Sequence, residues 1–182
     1  MKTTIDKIIF LDVDGVINSD QFARWCHENR DFLKAGGSNH ISPQLVEKVI
    51  KICDTTGASI VLSSSWRLWS LGQTLKNLSS KRDLRPILER LVGITRRTDE
   101  RFRGEEIKHF LECCKTGYFY TEVGEQLSDE RYTFSTNPRY VIIDDDSDML
   151  DEQLPFFIHI NDEVGITEED VNKAVKILNE TN

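Results

Sequence analysis

The sequence lacks the features that mark secreted, membrane-spanning or multidomain proteins. Its apolar runs are short, and Ile8–Leu11, near the N-terminus, is shorter than the apolar core of a signal peptide or a membrane span. No stretch rich in proline, glycine or serine divides the 182-residue chain. We therefore expect one soluble domain over residues 1–182, cytoplasmic and not associated with a membrane.

A Cys-x-x-Cys pair is also absent from the four cysteines, which argues against a zinc site. Cys53 and Cys114 fall on apolar stripes with helical spacing, so we expect them to pack in the core. The expected state of the thiols is reduced.

Positive charge is scarce overall but is concentrated in one segment. The net charge of −8 argues against indiscriminate binding of nucleic acid. Residues Lys81–Arg103 nevertheless hold eight of the 23 basic residues and only four of the 31 acidic ones. Two interpretations stay open: a solvated helix surface of mixed charge, or a patch that faces phosphate groups.

The apolar run that begins at Lys7 predicts a buried strand that ends in two carboxylates. Asp12 and Asp14 follow the run, and Gly15 allows the backbone to turn sharply behind them. In a parallel sheet, ligands bind beyond the carboxyl ends of the strands. We therefore expect Asp12 and Asp14 to lie in such a crevice.

A second predicted strand, Ala58–Leu62, ends in a run of hydroxyl side chains before an apparent helix start. Hydroxyl groups and free helical N–H groups donate hydrogen bonds to anions, so this end is suited to bind phosphate. Ser63 is the preferred candidate. Ser64 and Arg67 are further candidates, although Ser64 and Ser65 are also possible helix caps.

The third predicted strand, Arg139–Ile143, ends in four carboxylates within five positions. These carboxylates repel one another, and a cation is needed if they lie at a buried strand end. The candidates for holding that cation are Asp144, Asp145 and Asp148. An exposed acidic turn is the alternative, but it suits a loop tip better than the end of so apolar a strand.

The remaining patterns predict helices, short strands and two excursions. A small helical insert is expected over residues 19–40, and a hairpin or loop excursion over 118–136. Helices are expected from Pro43 to a stop at Gly57, in two segments over 68–91, from Arg103 to a stop at Gly117, and after a Thr167–Asp170 capping box. Short strands are expected over 93–95 and 156–160.

Four motifs in this order resemble those of the haloacid dehalogenase (HAD) superfamily of phosphohydrolases. They are Asp12–Val16, Val61–Ser63, Arg103 in the place of a Lys/Arg, and Val141–Asp145. Within the superfamily, Leu62–Arg67, Arg103–Ile107 and Tyr140–Asp146 resemble the small HAD domain of Swiss army knife RNA-repair proteins. The resemblance implies an α/β fold of three layers, Rossmann-like, with a central mostly parallel sheet and only small cap insertions.

The resemblance also implies a two-step phosphoryl transfer. Asp12 would attack phosphorus to form an aspartyl-phosphate, and Asp14 would act as general acid and then general base. Mg²⁺ would be held by Asp12, the backbone carbonyl of Asp14 and Asp145, with Asp144 and Asp148 as second choices. Ser63 and Arg103 would hold the phosphoryl oxygens, and Lys108 is a weaker substitute for Arg103.

The excursions are too small to form a full lid, so an open crevice is expected. Open sites in this superfamily act on large substrates, and the expected substrate is a phosphorylated nucleotide or RNA or DNA end, which suggests nucleic acid repair. The alternative is a phospho-acceptor signalling or binding module with little turnover. The oligomeric state is not predicted.

Overall fold

Five parallel strands form the sheet at the centre of the fold, in the order β3–β2–β1–β4–β5. The computed structural model describes residues 2–31, 41–97 and 102–180. The strands are β1 (Thr3–Leu11), β2 (Ser59–Leu62), β3 (Leu91–Ile94), β4 (Tyr132–Asp144) and β5 (Phe157–His159). This arrangement confirms the predicted α/β fold with a mostly parallel sheet, because the helices flank the sheet and connect its strands.

Helices and 3₁₀ turns connect these strands. Among the elements that lie wholly within the described residues, the helices are α1 (Asp20–Glu28), α2 (Pro43–Thr56), α3 (Leu71–Leu78), α4 (Arg85–Leu88), α5 (Arg103–Thr116) and α6 (Glu168–Asn179); the 3₁₀ turns are Arg82–Leu84 and Asp151–Phe156. α5 packs against β4, and α2 packs against α6. In the described part of the chain, no helix combines the length and the apolar character needed to cross a membrane.

The helix ends follow the predicted capping signals. The Ser42 side chain accepts a hydrogen bond from the N–H of Leu45, and Gly57 ends α2 in the left-handed conformation. Thr167 and Asp170 form the reciprocal capping box at the start of α6. The local sequence therefore determines where both helices begin.

The central strands are buried at their carboxyl halves. The last four residues of β1 are fully buried, and the Phe10 ring makes edge contacts with Phe110 of α5 and Tyr140 of β4. All four cysteines are buried and unpaired, as expected of core thiols. The apolar core thus lies directly beneath the strand ends that carry the candidate site.

β4 begins seven residues earlier than predicted. It starts at Tyr132 instead of Arg139 and pairs with the whole of β1, with a register shift between Ile5 and Lys7. Residues 132–136 therefore belong to the sheet and not to the predicted excursion over 118–136. The physical reason is that Tyr132 and Phe134 pack against the core, so the alternating pattern before Pro138 is a strand pattern.

The remainder of that excursion makes a tight turn beside β3. The N–H of Thr121 donates to the Glu125 carbonyl (2.8 Å), and the N–H of Leu127 donates to the Phe119 carbonyl (2.9 Å). The segment then runs antiparallel to the edge strand, where the N–H of Ile94 donates to the Leu127 carbonyl (2.8 Å). This segment therefore covers the open edge of β3.

The predicted insert over residues 19–40 contains α1. The Ser19 side chain caps this helix by accepting a hydrogen bond from the N–H of Phe22 (3.3 Å). Residues 32–40 of the predicted insert lie outside the described residues.

Candidate active site

The candidate side chains lie side by side because each follows the end of a parallel strand. The N–H of Asp12 donates to a β4 carbonyl (3.0 Å), and the N–H of Ser63 donates to the last carbonyl of β1 (2.9 Å). The N–H of Thr95, after β3, donates to the last carbonyl of β2 (3.0 Å). Each residue is thus held one step beyond the sheet, and together with Asp144 they form one row at its carboxyl edge.

Three carboxylates converge in this row. One oxygen atom each of Asp12, Asp144 and Asp145 lies within 4.8 Å of the other two. Burial, with repulsion from Asp144, raises the pKa of Asp12 to about 8. Burial also raises the pKa of Asp144 to about 7 and raises that of Asp145. Positive charge is therefore required if all three groups are to be ionised near neutral pH.

The cluster fits a hard divalent cation such as Mg²⁺. Its donors are carboxylate oxygens, which are the ligands that Mg²⁺ prefers. The Oδ2 atom of Asp144 is buried and has no hydrogen-bond partner, while Oδ1 is oriented by the N–H of Asp146 (3.0 Å). A buried carboxylate oxygen without a donor is suited to bind a metal ion.

Gly15 allows the third carboxylate to approach. Its φ is +66°, and a Cβ atom built on it would lie 2.4 Å from Cγ of Asp145. The His159 ring nitrogen Nε2 lies 2.8 Å from the backbone carbonyl oxygen of Asp145 and holds the loop from the other side. The glycine after the two aspartates therefore provides the space for Asp145, in addition to the turn.

Arg103 contacts two of the carboxylates, and its side chain is only 12% exposed. Nε lies 2.9 Å from Oδ2 of Asp144, and Nη2 lies 3.4 Å from Oδ1 of Asp12. Burial alone would lower the pKa of Arg103, but Asp144, Asp12 and other neighbouring carboxylates raise it. Arg103 therefore carries a fixed positive charge at the place where the sequence predicted it.

Asp14 lies beside the cluster and is surrounded by donors. Nε1 of Trp66 lies 2.9 Å from Oδ1 and 3.0 Å from Oδ2 of Asp14. Nδ2 of Asn18 donates to Oδ1 (2.7 Å), and Oγ of Ser65 donates to Oδ2 (3.0 Å). Side chains outside the trio of Asp12, Asp144 and Asp145 therefore orient the carboxyl group of Asp14.

Comparison of the chain with protein families supplies the identification. A family model described as "HAD domain in Swiss Army Knife RNA repair proteins" matches residues 8–171, which is most of the chain. The chain belongs to this family. Membership confirms the resemblance predicted from the four motifs and indicates a hydrolase, with phosphohydrolase activity. Comparison with curated proteins found no match, and neither did comparison with solved structures.

HAD domains typically use a divalent metal, and the trio of this HAD domain has the composition for one. Asp148, a second choice as a metal ligand, is not one of the three clustered carboxylates, although its Oδ1 atom is also buried without a hydrogen-bond partner among the described residues. Its Oδ2 accepts the N–H of Arg103 (2.9 Å), and its carbonyl accepts the N–H of Gly104 (3.2 Å). Asp148 therefore caps α5 and ties the acidic loop to that helix.

Arg67, a candidate phosphate-binding residue, is held by other groups of this HAD domain. It is buried, and its Nε donates to the Thr95 carbonyl (3.0 Å). Its two terminal nitrogens contact the Ser64 carbonyl and the Glu106 carboxylate. Because all three guanidinium nitrogens contact protein groups, we propose a structural role for Arg67. The Ser-Trp-Arg pattern could not show that the side chain turns inward.

The two serines after β2 are both buried at the crevice floor. Oγ of Ser63 lies 3.5 Å from the Thr95 hydroxyl, and Oγ of Ser64 accepts the N–H of Trp66 (3.3 Å). A hydrogen bond from the Ser64 side chain also lowers the pKa of Asp12 and so opposes the effect of burial. Lys108, the substitute for Arg103, is half exposed and lies 3.9 Å from Glu105, on the outer surface of α5.

Sequence reasoning missed four residues at this site. Glu106 contacts both Arg67 and Arg103. Trp66 and Asn18 orient Asp14, and Thr95 completes the row of strand ends. Glu106 had no visible signal, because its spacing matches that of an ordinary first helical turn. Trp66 could have been suspected from its position directly after the hydroxyl run.

Proposed function

We propose that this chain is a magnesium-dependent phosphomonoesterase that works through an aspartyl-phosphate on Asp12. The observation that carries the proposal is the convergence of Asp12, Asp144 and Asp145 with the Arg103 guanidinium at the carboxyl edge of the sheet. Asp14 stands two residues from the nucleophile, in a separate donor environment. The site thus supplies a nucleophile, a second oriented carboxyl group and positive charge, and we assign the proton transfer to Asp14.

In the first step, a carboxylate oxygen of Asp12 attacks phosphorus as the bond from phosphorus to the leaving oxygen breaks. The carboxylic acid of Asp14 gives its proton to that oxygen, so an alcohol departs. In the second step, the Asp14 carboxylate takes a proton from water, and the resulting hydroxyl attacks phosphorus. The bond between Asp12 and phosphorus breaks, which releases inorganic phosphate and restores the Asp12 carboxylate.

Positive charge at the trio is central to this chemistry. Asp12, Asp145 or Asp144, and the backbone carbonyl of Asp14 would hold Mg²⁺, which when bound neutralises charge between nucleophile and phosphate. Arg103 would hold a phosphoryl oxygen, because its guanidinium already lies between Asp12 and Asp144. The hydroxyls of Ser63 and Ser64 are proposed as further donors to the phosphoryl group.

The proposed substrate class is a phosphorylated nucleotide or nucleic-acid end. The family description, which refers to RNA repair, supports it. So does an exposed pair near the carboxyl edge, in which the guanidinium of Arg97 lies 5.9 Å from the centre of the Trp69 ring. Trp69 is 62% exposed, and an aromatic face beside a cation suits a base that is linked to a phosphate.

The rest of the basic segment provides less free charge than its composition suggested. Three of its arginines form ion pairs with carboxylates of Glu89, Asp54 and Glu122. In the described part of the segment, Lys81 and Arg97 lie over the rings of Trp66 and Trp69 instead. The nucleic-acid proposal therefore depends on these aromatic and cationic pairs more than on net charge.

The decisive experiment measures Mg²⁺-dependent phosphate release on small phosphate esters, nucleotides and phosphorylated RNA and DNA ends. The proposal requires that Asp12→Asn abolish release, while Asp6→Asn, which changes an exposed carboxylate on the same strand, leaves it unchanged. Trp69→Ala should raise KM for the oligonucleotides but not for an aryl phosphate. A long-lived aspartyl-phosphate without turnover would instead support the phospho-acceptor alternative.

A further inference from the structure

The indole of Trp66 makes the most symmetric contact with Asp14. Its single N–H faces both carboxyl oxygens, at 2.9 and 3.0 Å, whereas Asn18 and Ser65 each contact one oxygen. A donor shared by two oxygens restrains rotation about the bond that carries the carboxyl group, which is otherwise a soft torsion. Trp66 therefore controls the direction in which Asp14 presents its oxygens.

The rest of the structure holds this indole firmly. The ring packs against the core, and the backbone N–H of Trp66 donates to Oγ of Ser64, in the hydroxyl run after β2. The ammonium of Lys81 lies 4.9 Å from the centre of the ring on its face. These contacts restrain the indole of Trp66, so its N–H is a fixed donor to Asp14.

We propose that Trp66 is a positioning residue that aims the Asp14 carboxyl group at the leaving oxygen of the substrate. The inference rests on the proposed function, because it concerns the step in which Asp14 passes its proton to that oxygen as the bond to phosphorus breaks. In this assignment Trp66 acts through the Asp14 carboxyl group. In kcat/KM, which leaves out the second step, its effect is confined to substrates whose leaving group needs the proton.

Leaving groups differ in how much they need a proton from Asp14 as they depart. An alkoxide must be protonated as it departs, whereas 4-nitrophenolate is stable enough to leave without a proton. The useful quantity is kcat/KM, because it covers the steps up to alcohol release and leaves out the later hydrolysis of the aspartyl-phosphate. The ratio of kcat/KM for an alkyl phosphate to that for 4-nitrophenyl phosphate is independent of the fraction of folded enzyme.

The test compares wild type, Trp66→Phe and Trp66→His on these two substrates with Mg²⁺. Trp66→Phe keeps an aromatic ring but removes the N–H, and we expect the ratio to fall by about 10- to 100-fold, the size of effect that misplaced catalytic groups produce. Trp66→His retains a ring N–H and should recover part of the ratio. The matched control is Trp25→Phe, which removes a half-exposed indole from α1, where it stacks on Phe22.

An equal loss on both substrates in Trp66→Phe, or no loss on either, would overturn the assignment and leave the phosphatase proposal intact. A ratio that falls as far in Trp25→Phe would also overturn it. If wild type hydrolyses neither substrate nor any phosphorylated oligonucleotide, the proposed function itself fails, and the positioning role fails with it.

Discussion

Arg103 and Asp144 are joined by a contact of 2.9 Å between Nε and Oδ2 that lacks hydrogen-bond geometry. Both side chains are largely buried, so the two charges attract strongly, yet the oxygen receives no hydrogen bond. The charge of Arg103 therefore lowers the pKa of Asp144, but burial outweighs it and leaves that pKa raised to about 7. Arg103 thus supplies positive charge to the same carboxylate that belongs to the candidate metal cluster.

The first prediction concerns the geometry of Arg103. Arg103→Lys keeps the charge but loses the planar fork that reaches Asp12, Asp144 and Glu106. We expect kcat/KM to fall by about 10- to 100-fold, corresponding to about 1.4 to 2.8 kcal/mol. Inorganic phosphate should also become a weaker inhibitor. Lys108→Ala removes a cation from the outer surface of the same helix and should leave both quantities unchanged.

The second prediction concerns the pH dependence of stability in the metal-free protein. The folded state raises the pKa of Asp12 to about 8 and that of Asp144 to about 7. The folded protein then binds more protons than the unfolded chain from about pH 4 to about pH 8, so the free energy of unfolding falls as pH rises through this window. Melting temperatures measured with a chelator should decrease accordingly.

The control for this prediction is Asp12→Asn. It removes the group whose pKa is raised most, so its melting temperature should depend less on pH than that of wild type. Added Mg²⁺ should raise the melting temperature of wild type more at the upper end of the window than at the lower end, because a metal ion binds the ionised carboxylates. Identical pH slopes for the two proteins would contradict the prediction.

The third prediction concerns Glu106, which is buried and contacts both Arg67 and Arg103. Glu106→Gln leaves the buried guanidinium of Arg67 without its carboxylate. Removing one partner of a buried ion pair is expected to lower the free energy of unfolding by about 3 to 5 kcal/mol. Urea denaturation measures this loss, and Arg67→Met combined with Glu106→Gln should lose less than the sum of the two single variants.

Activity provides a second readout of the same change. Glu106→Gln should also reduce kcat/KM, because one of the carboxylates that hold the Arg103 guanidinium is lost. Arg67→Met should reduce activity less, since Arg67 contacts Glu106 and backbone carbonyls but not the carboxylate trio. Equal losses of activity in the two variants would contradict a specific role of Glu106 in placing Arg103.

The fourth prediction separates the backbone conformation of Gly15 from the space that this glycine leaves for Asp145. Gly15→Ala places a residue with a side chain at positive φ, and its Cβ would meet the Asp145 carboxyl group at 2.4 Å. Gly57→Ala has the same backbone strain, at φ +73°, with no neighbouring atom within 4 Å of the new Cβ. We expect each variant to lose about 1 to 2 kcal/mol from the positive φ.

Only Gly15→Ala should also weaken binding of Mg²⁺, by about tenfold or more, because Asp145 must move. Calorimetric titration with Mg²⁺ measures this affinity, and urea denaturation measures the shared loss of stability. An unchanged affinity in Gly15→Ala would show that Asp145 is not a ligand and would favour Asp12, Asp144 and the Asp14 carbonyl.

The residues predicted best from the sequence are those at strand ends. Apolar runs before Asp12, Ser63 and Asp144 predicted three buried strands, and parallel pairing necessarily brings their carboxyl ends to one edge. The position of Arg103 was predicted from motif order. The start of β4 at Tyr132 was missed, because aromatic and hydroxyl residues before a proline also suit a hairpin.

Side-chain direction could not be predicted in the same way. Whether Arg67 faces the crevice or the interior depends on Glu106, a residue 39 positions away on another element. The contact between Trp66 and Asp14 likewise joins the loops that follow two different strands. Local periodicity carries no information about such pairs, because they are determined by how α5 and the loop after β2 pack over the sheet.

Asp148 joins the acidic loop after β4 to the start of α5. Through its side chain and its carbonyl it accepts the first two N–H groups of α5, so the loop that carries Asp144 and Asp145 is fastened to the helix that carries Arg103. The groups that would hold the metal and the group that would hold the phosphate therefore form one rigid assembly. Binding of either ligand would hold this assembly in place for the other, so the two should bind with positive cooperativity.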